Sequence, residues 1–286
     1  MIKHRKSTRN NTVNYSDKKL TKISIQKRNA EDRNKSQAKK SGSGFGPNGQ
    51  IWFYGIHAVE SALLNPERKK YQLLVNQEWT TSYKVPGNEI EPQYVSRKVI
   101  ESKLPLTAVH QGLALLVAPL PHVPIETICK NSNDNSVVII LDQINDPRNI
   151  GAIMRTASAF GASAIIVTDR YTPETTASMA KAASGALDRI PVVRVTNLSR
   201  SLVLLKKAGF WLAGLDANAS QTISQANLGG KIAIILGAEG SGLRRLTAQN
   251  CDYLIKIPMD ASSNSLNVSV AASIALYEVY RNRDQP

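Results

Sequence analysis

The side chains with the most chemical potential in this chain are neither histidines nor clustered carboxylates. They fall in three separate segments. The first is Asp142-Gln-Ile-Asn-Asp-Pro-Arg-Asn-Ile-Gly-Ala-Ile-Met-Arg-Thr-Ala157. Pro147 fixes a turn there, and Asn149 stands at the start of the next helix. Arg155 follows nearly two turns later, a spacing that lets the two share a face. Arginine presents a permanently charged fork suited to phosphate, and the small apolar neighbours of Arg155 argue against an ordinary surface ion pair. The second segment, Leu236-Gly-Ala-Glu-Gly-Ser-Gly-Leu-Arg-Arg245, sets Glu239 between glycines, where a carboxylate orients a ligand better than it caps a helix. Arg244 and Arg245 read equally as phosphate contacts or as a solvated face. In the third, Ile257–Glu278, Ser265 and Asn267 supply uncharged polarity beside Leu266. A helix is expected to start within Asn264–Asn267, offering unpaired N–H groups to a ligand. No metal-ligand cluster and no nucleophilic triad stands out.

These segments share a position. From Val137 onward, short apolar runs alternate with helical patterns: Val137–Leu141, Ala164–Val167, Val192–Val195, Trp211–Gly214, Ile232–Leu236 and Tyr253–Ile257 are read as strands. Intervening stretches such as Ile150–Phe160, Ala177–Ala186 and Leu198–Ala208 are read as helices. Buried parallel strands separated by helices make a doubly wound α/β sheet, and ligands in such sheets sit beyond the carboxyl ends of strands. The segments after Leu141, Leu236 and Ile257 satisfy that rule. The terminal helix is expected to bury a stripe of Val270, Ile274 and Tyr277, and its Ala271, Ala272 and Ala275 are small enough for very close packing. The glycine spacing at 237, 240 and 242 matches neither a dinucleotide fingerprint nor a phosphate-cradling loop.

A smaller α/β domain precedes this one, over roughly residues 50–120. Ile51–Tyr54, Tyr71–Val75 and Ala114–Ala118 read as strands, with helices through Val59–Leu64 and near Ser96–Ser102. Pro119, Pro121 and Pro124 mark its exit, and residues 121–135 form a linker into the domain at 136–286. Charge is concentrated ahead of both. Residues 1–50 hold 13 basic and 3 acidic side chains, against 23 and 19 in the rest of the chain. With almost no apolar content, residues 1–48 are read as a disordered basic arm and linker. Its expected partner is a polyanion, bound through phosphate contacts that do not depend on sequence. A partnerless solubility tail is the competing reading. The two cysteines, Cys129 and Cys251, have no paired spacing, which argues for a reducing compartment. No apolar run suits a membrane span and no secretory signal opens the chain, so a cytoplasmic protein is expected.

The three segments, in this order and spacing, resemble the signature motifs of the SpoU (TrmH-type) RNA 2′-O-ribose methyltransferases. The similarity runs from Tyr54 to the C-terminus. Tyr54-Gly-Ile-His-Ala-Val59 and Val109-His-Gln-Gly112 look like that family's N-terminal RNA-binding domain, a ribosomal-protein-like α/β fold. Within the family, the nearest match is to bacterial 23S rRNA guanosine-2′-O-methyltransferases, with transfer RNA as the alternative substrate. The resemblance implies a SPOUT-type domain with a C-terminal trefoil knot, an exception to the rule that chains avoid threading. It also implies a homodimer with the active site near its interface. S-adenosylmethionine is the implied methyl donor, held by backbone groups near Gly237, Ile257 and Leu266, with no metal. Asn149, Arg155, Glu239, Ser265 and Asn267 match the family's functional positions. Arg155 is expected to clamp the phosphate beside the target ribose, since its pKa above about 12 disfavours it as a general base. Asn149 and Asn267 would orient the ribose or the donor, and Glu239 would hold the loop or Arg155. Ala261 stands where the family often has glycine. A non-catalytic RNA-binding protein is the alternative of a different class. A dinucleotide-dependent oxidoreductase is a weaker one, because its glycine motif belongs on the first strand.

Overall fold

The computed structural model describes residues 44–79, 84–87, 89–260 and 265–283. Most of the basic arm, Ala261 and Asn264 lie outside the described residues. The linker reading gives way at its C-terminal end. Gly46 N–H donates to the Gln50 carbonyl at 2.8 Å across a 3-10 turn at Pro47–Gly49, so ordered chain begins ahead of Ile51.

The first sheet has strands β1 (Ile51–Tyr54), β2 (Lys70–Asn76), β3 (Pro92–Val95) and β4 (Leu113–Val117), in the order β1-β4-β2-β3. β4 pairs antiparallel with β1 and β2, while β2 and β3 are parallel. Helices α1 (Ile56–Leu64) and α2 (Arg97–Glu101) complete this unit. β3, which opens on a proline and carries Gln93 and Tyr94, has no alternating apolar signal and is not legible in the sequence.

The second sheet is entirely parallel, in the order β7-β6-β5-β10-β8-β11-β9. Its strands are β5 (Val137–Asp142), β6 (Ala164–Thr168), β7 (Val192–Val195), β8 (Trp211–Leu215), β9 (Gln221–Thr222), β10 (Ile232–Gly237) and β11 (Tyr253–Lys256). Continuous apolar runs are required because both faces are covered. On one face Val137, Ile139, Leu141, Ile232, Ile234 and Leu236 meet α4 (Pro147–Ala159), α5 (Ala177–Ala183) and α8 (Val268–Arg283). On the other, Val138, Ile140, Ala233 and Ile235 meet α3 (Ile125–Lys130) and α6 (Leu198–Lys207). A short α7 (Arg245–Asn250) follows β10. From β5 the chain winds outward through β6 and β7, then crosses to the other half. β5 and β10 therefore flank the point where winding reverses, and Asp142 and Gly237 are cross-strand partners at its carboxyl end.

The terminal helix corrects one expectation. Val270 and Tyr277 are exposed, at 47% and 54%, and the buried stripe is Val268, Ala272, Ala275, Leu276 and Val279. The helix is rotated so that Ala272 and Ala275, together with Val268, Leu276 and Val279, face inward where α8 lies against α4 and β10. Thr156 and Ser273 hydroxyls meet at 3.1 Å across the α4–α8 contact. Gly151 serves a neighbouring contact: a Cβ there would lie 2.7 Å from that of Ala182, so glycine lets α5 pack directly on α4.

The two units are joined by a buried ion pair. Arg68, 2% exposed, donates from Nε to Asp188 Oδ1 at 2.7 Å and from Nη1 to the Ala118 carbonyl at 2.9 Å. Its guanidinium lies 5.0 Å from the centroid of the Phe53 ring. Asn65 Nδ2 donates to the Asp188 carboxylate and main-chain carbonyl as well. Beside this pair, a cavity of about 520 Å³ is walled by segments of both units.

Candidate active site

Strand β10 ends in a loop that folds back on itself. A Cβ at Gly237 would collide with the Gly242 carbonyl carbon and the Leu243 nitrogen, so only glycine permits the reversal. Gly240 and Gly242 then take left-handed φ values of 87° and 65°, which L side chains adopt only at a cost. An Ala238–Gly242 bridge closes the turn. Asp142, 1% exposed, anchors it from the neighbouring strand, accepting from Arg244 Nε at 2.7 Å and from Thr247 Oγ1 at 2.6 Å. Arg244 thus buttresses the loop through the buried end of β5, with its side chain 45% exposed. Arg245 is exposed at the start of α7.

Beneath this loop lies a cavity of about 490 Å³, within the range of small-molecule sites. Gly237, Glu239, Ile257, Ser265 and Leu266 all line it. Asp216–Asn218, the segment following β8, lines it too. That segment was passed over in the sequence, although the strand-end rule applies to β8 as much as to its neighbours.

At the rim, side chains from three segments meet. Glu239 Oε1 accepts from Asn149 Nδ2 at 2.7 Å and from Asn267 Nδ2 at 3.3 Å. Asn267 Nδ2 also reaches Asn149 Oδ1 at 3.1 Å. Each amide is set by its own helix. Asn149 lies in the first turn of α4, which Asp146 caps by accepting from the Arg148 N–H at 2.8 Å. Asn267 caps α8, its Oδ1 accepting from the Ser269 N–H at 2.9 Å. One carboxylate therefore locks two amides 118 residues apart in the chain.

Arg155 does not join this cluster. Six residues correspond to roughly 600° of helix rotation, about 120° away from Asn149's face. Arg155 is exposed, with no ion pair or hydrogen bond among the described residues. Glu239 holds the two amides, not Arg155. Ser265 is exposed at the cavity mouth. Among the described residues, no group of three or more His, Cys, Asp or Glu side chains is placed to hold a metal ion.

The architecture is a doubly wound parallel α/β domain with a cavity beyond the carboxyl ends of β8, β10 and β11, preceded by a small mixed-sheet domain. Comparison with known proteins assigns it further. The SpoU rRNA Methylase family model matches residues 136–277, and the RNA 2′-O ribose methyltransferase substrate-binding model matches residues 52–123. A Staphylococcus epidermidis protein named as a TrmH family tRNA/rRNA methyltransferase is 39% identical over 239 residues, covering 80% of this chain and 90% of its own. The AdoMet complex of the SpoU methyltransferase AviRb from Streptomyces viridochromogenes has the same fold, with a TM-score of 0.72 at 22% identity over 83% of this chain and 91% of its own. The AdoMet-bound rRNA methyltransferase of Sinorhizobium meliloti superposes with a TM-score of 0.68 at 25% identity, over 81% and 87%. The chain belongs to the SpoU family of RNA 2′-O-ribose methyltransferases.

Proposed function

We propose that this enzyme methylates the ribose 2′-hydroxyl of a guanosine in 23S rRNA, with S-adenosylmethionine as donor. The observation that carries the reading is the Asn149–Glu239–Asn267 cluster at the rim of the glycine-lined cavity. The cavity fits the donor in two respects. Its volume of about 490 Å³ suits a nucleoside-sized ligand, and its glycine turn leaves backbone groups bare at the strand ends. Gly237, Ile257 and Leu266 would hold the donor, which supplies an electrophilic methyl group.

The bound donor would give up its methyl group to the ribose oxygen and leave as a neutral thioether, with the hydroxyl proton passing to water. Alignment is the main requirement, and well-oriented reactants gain on the order of 7–11 kcal/mol in favourable cases. Asn149 and Asn267, locked by Glu239, orient the ribose against the cavity mouth, and Ser265 adds a hydroxyl there. Arg155 holds the adjacent phosphate and favours loss of the proton by stabilising the alkoxide. Its exposure suits a group that meets its partner only when RNA is bound.

A homodimer belongs to this reading. Val270, Tyr277 and Tyr280 are exposed along α8 beside the half-buried Ile274, and Phe160 packs its ring against both tyrosines. That apolar face lies next to the helix bearing Arg155, so a second copy covering it would approach the reaction centre. Threading of α8 as a trefoil knot and a cytoplasmic location are part of the same proposal.

The test is to incubate the purified chain with labelled donor and, separately, 23S rRNA and total transfer RNA, then map ribose methylation. Label in a 23S guanosine is expected. Label confined to transfer RNA would overturn the substrate, and donor binding without transfer to either RNA would overturn the activity.

A further inference from the structure

Two segments of the N-terminal unit, Tyr54–Val59 and Val109–Gly112, stand out in the sequence yet take no part in the donor cavity. Both converge on one side chain of the catalytic domain. Lys181, on α5, reaches across the boundary and donates from Nζ to Gln111 Oε1. Its stem passes over Gly55, where any Cβ would collide with Nζ. The seat is built from strained backbone: Gly55 has a φ of 84° and Gln111, unusually for a residue with a side chain, 53°. His110, 4% exposed, stabilises that turn by accepting the Gly112 N–H on Nδ1 at 3.1 Å. A second cation stands nearby. Arg148 is exposed in the first turn of α4, directly before Asn149, and close enough to the buried Tyr54 hydroxyl to offset part of the rise that burial imposes on its pKa. Tyr54 and Gly55 are chain neighbours, so both cations act at the end of β1.

Neither cation has a carboxylate within ion-pair distance among the described residues. Lys181 is half-buried, and burial lowers its pKa. A half-desolvated ammonium held only by an amide oxygen gains strongly from an anion. A strand bound by the N-terminal unit and entering the reaction centre at Asn149 has to cross this junction.

We propose that Lys181 and Arg148 form a phosphate subsite for the RNA strand where it passes from the N-terminal domain to the Asn149–Glu239–Asn267 cluster. The subsite rests on the reading that RNA is the substrate. The competing role for Lys181 is a seal between domains through Gln111 alone. Full-length Lys181→Gln retains a hydrogen-bonding end for Gln111 without the charge, Lys181→Arg restores charge, and Arg148→Gln acts at an exposed site where folding is not at issue.

The probe is deproteinised 23S rRNA, or transfer RNA if wild type methylates only that, with affinity measured across a salt series. Each glutamine variant is expected to weaken RNA binding about tenfold, and Lys181→Arg to recover most of it. The slope of log affinity against log salt is expected to fall by roughly 0.7–0.9 per lost contact. Donor affinity, measured by calorimetry, stays at the wild-type value. RNA affinity and slope unchanged in both glutamine variants would overturn the inference while leaving the methyltransferase reading intact. Weaker RNA binding with an unaltered slope would also overturn it, assigning Lys181 to the seal. A wild-type enzyme that methylates no RNA would defeat the functional reading itself.

Discussion

At the residue scale, the site depends on one carboxylate serving two amides. Each exposed hydrogen bond that holds an amide at the rim is worth about 0.5–1.5 kcal/mol, so loss of both removes about 1–3 kcal/mol of positioning. Glu239→Ala is therefore expected to slow single-turnover methylation by roughly tenfold to a hundredfold, and Glu239→Gln, which keeps an acceptor oxygen, by less. Retention of wild-type turnover in Glu239→Ala would refute the locking role. His110 gives a second test at this scale. Burial, reinforced by Arg97, lowers its pKa, while Glu101 pulls the other way. The unfolded chain therefore binds this proton first, so the stability contribution is present above the unfolded value of about 6.5 and is lost as pH falls below it. Thermal midpoints should drop as pH falls below about 6.5. His110→Asn offers the Gly112 N–H an oxygen that does not titrate. It should flatten that part of the profile.

At the element scale, helices carry the site and glycine or alanine sets how they approach. Gly151 brings α5 onto α4, and Ala272 and Ala275 bring α8 onto α4 and β10. The Asn149–Asn267 contact follows from that helix pairing. The two sheets are indexed by Arg68–Asp188, each side chain 1% exposed. Among the described residues Arg68 Nη2 and Asp188 Oδ2 have no hydrogen-bond partner, so the pair is a costly way to join domains, and its value is geometric. Removing one partner strands a buried charge, whereas apolar replacement of both is often neutral. Arg68→Met alone is expected to lose about 3–5 kcal/mol in urea unfolding, and Arg68→Met with Asp188→Leu to recover most of it. Failure of the double variant to recover would show that Asn65 and Ala118 carry the joint instead.

At the scale of the whole molecule, the exposed face of α8 is the largest consequence of putting alanines inward. With small residues buried, the aromatic ones are left for solvent or for another copy. Tyr277→Asp is expected to convert a dimer to a monomer in light scattering and to depress methylation with it, since the helix that bears Arg155 packs against α8. A wild-type chain that is monomeric at micromolar concentration would remove the proposal. The basic excess of the first 50 residues adds a long-range attraction for polyanions, and the cations at the domain junction add a local one.

The sequence by itself determined the strand–helix alternation, the parallel α/β class and the three strand-end segments, because apolar continuity and glycine placement are local signals. It also marked the individual polar residues, since an Asn, Glu or Ser between small residues at a strand end is conspicuous without a fold. Tertiary structure decided the rest. Residue spacing suggested that Asn149 and Arg155 share a face, but helix rotation separates them, and Glu239 instead binds an amide from the far end of the chain. Periodicity pointed to Val270 and Tyr277 as the buried stripe, but the packing of α8 on α4 and β10 turns Val268, Ala272, Ala275, Leu276 and Val279 inward instead. Asp142 opened the first strand-end segment without an assigned role, and only the fold brings Arg244 and Thr247 onto it. Those outcomes depend on distances between elements 90 or more residues apart. Local propensity carries no information about such distances, and packing does.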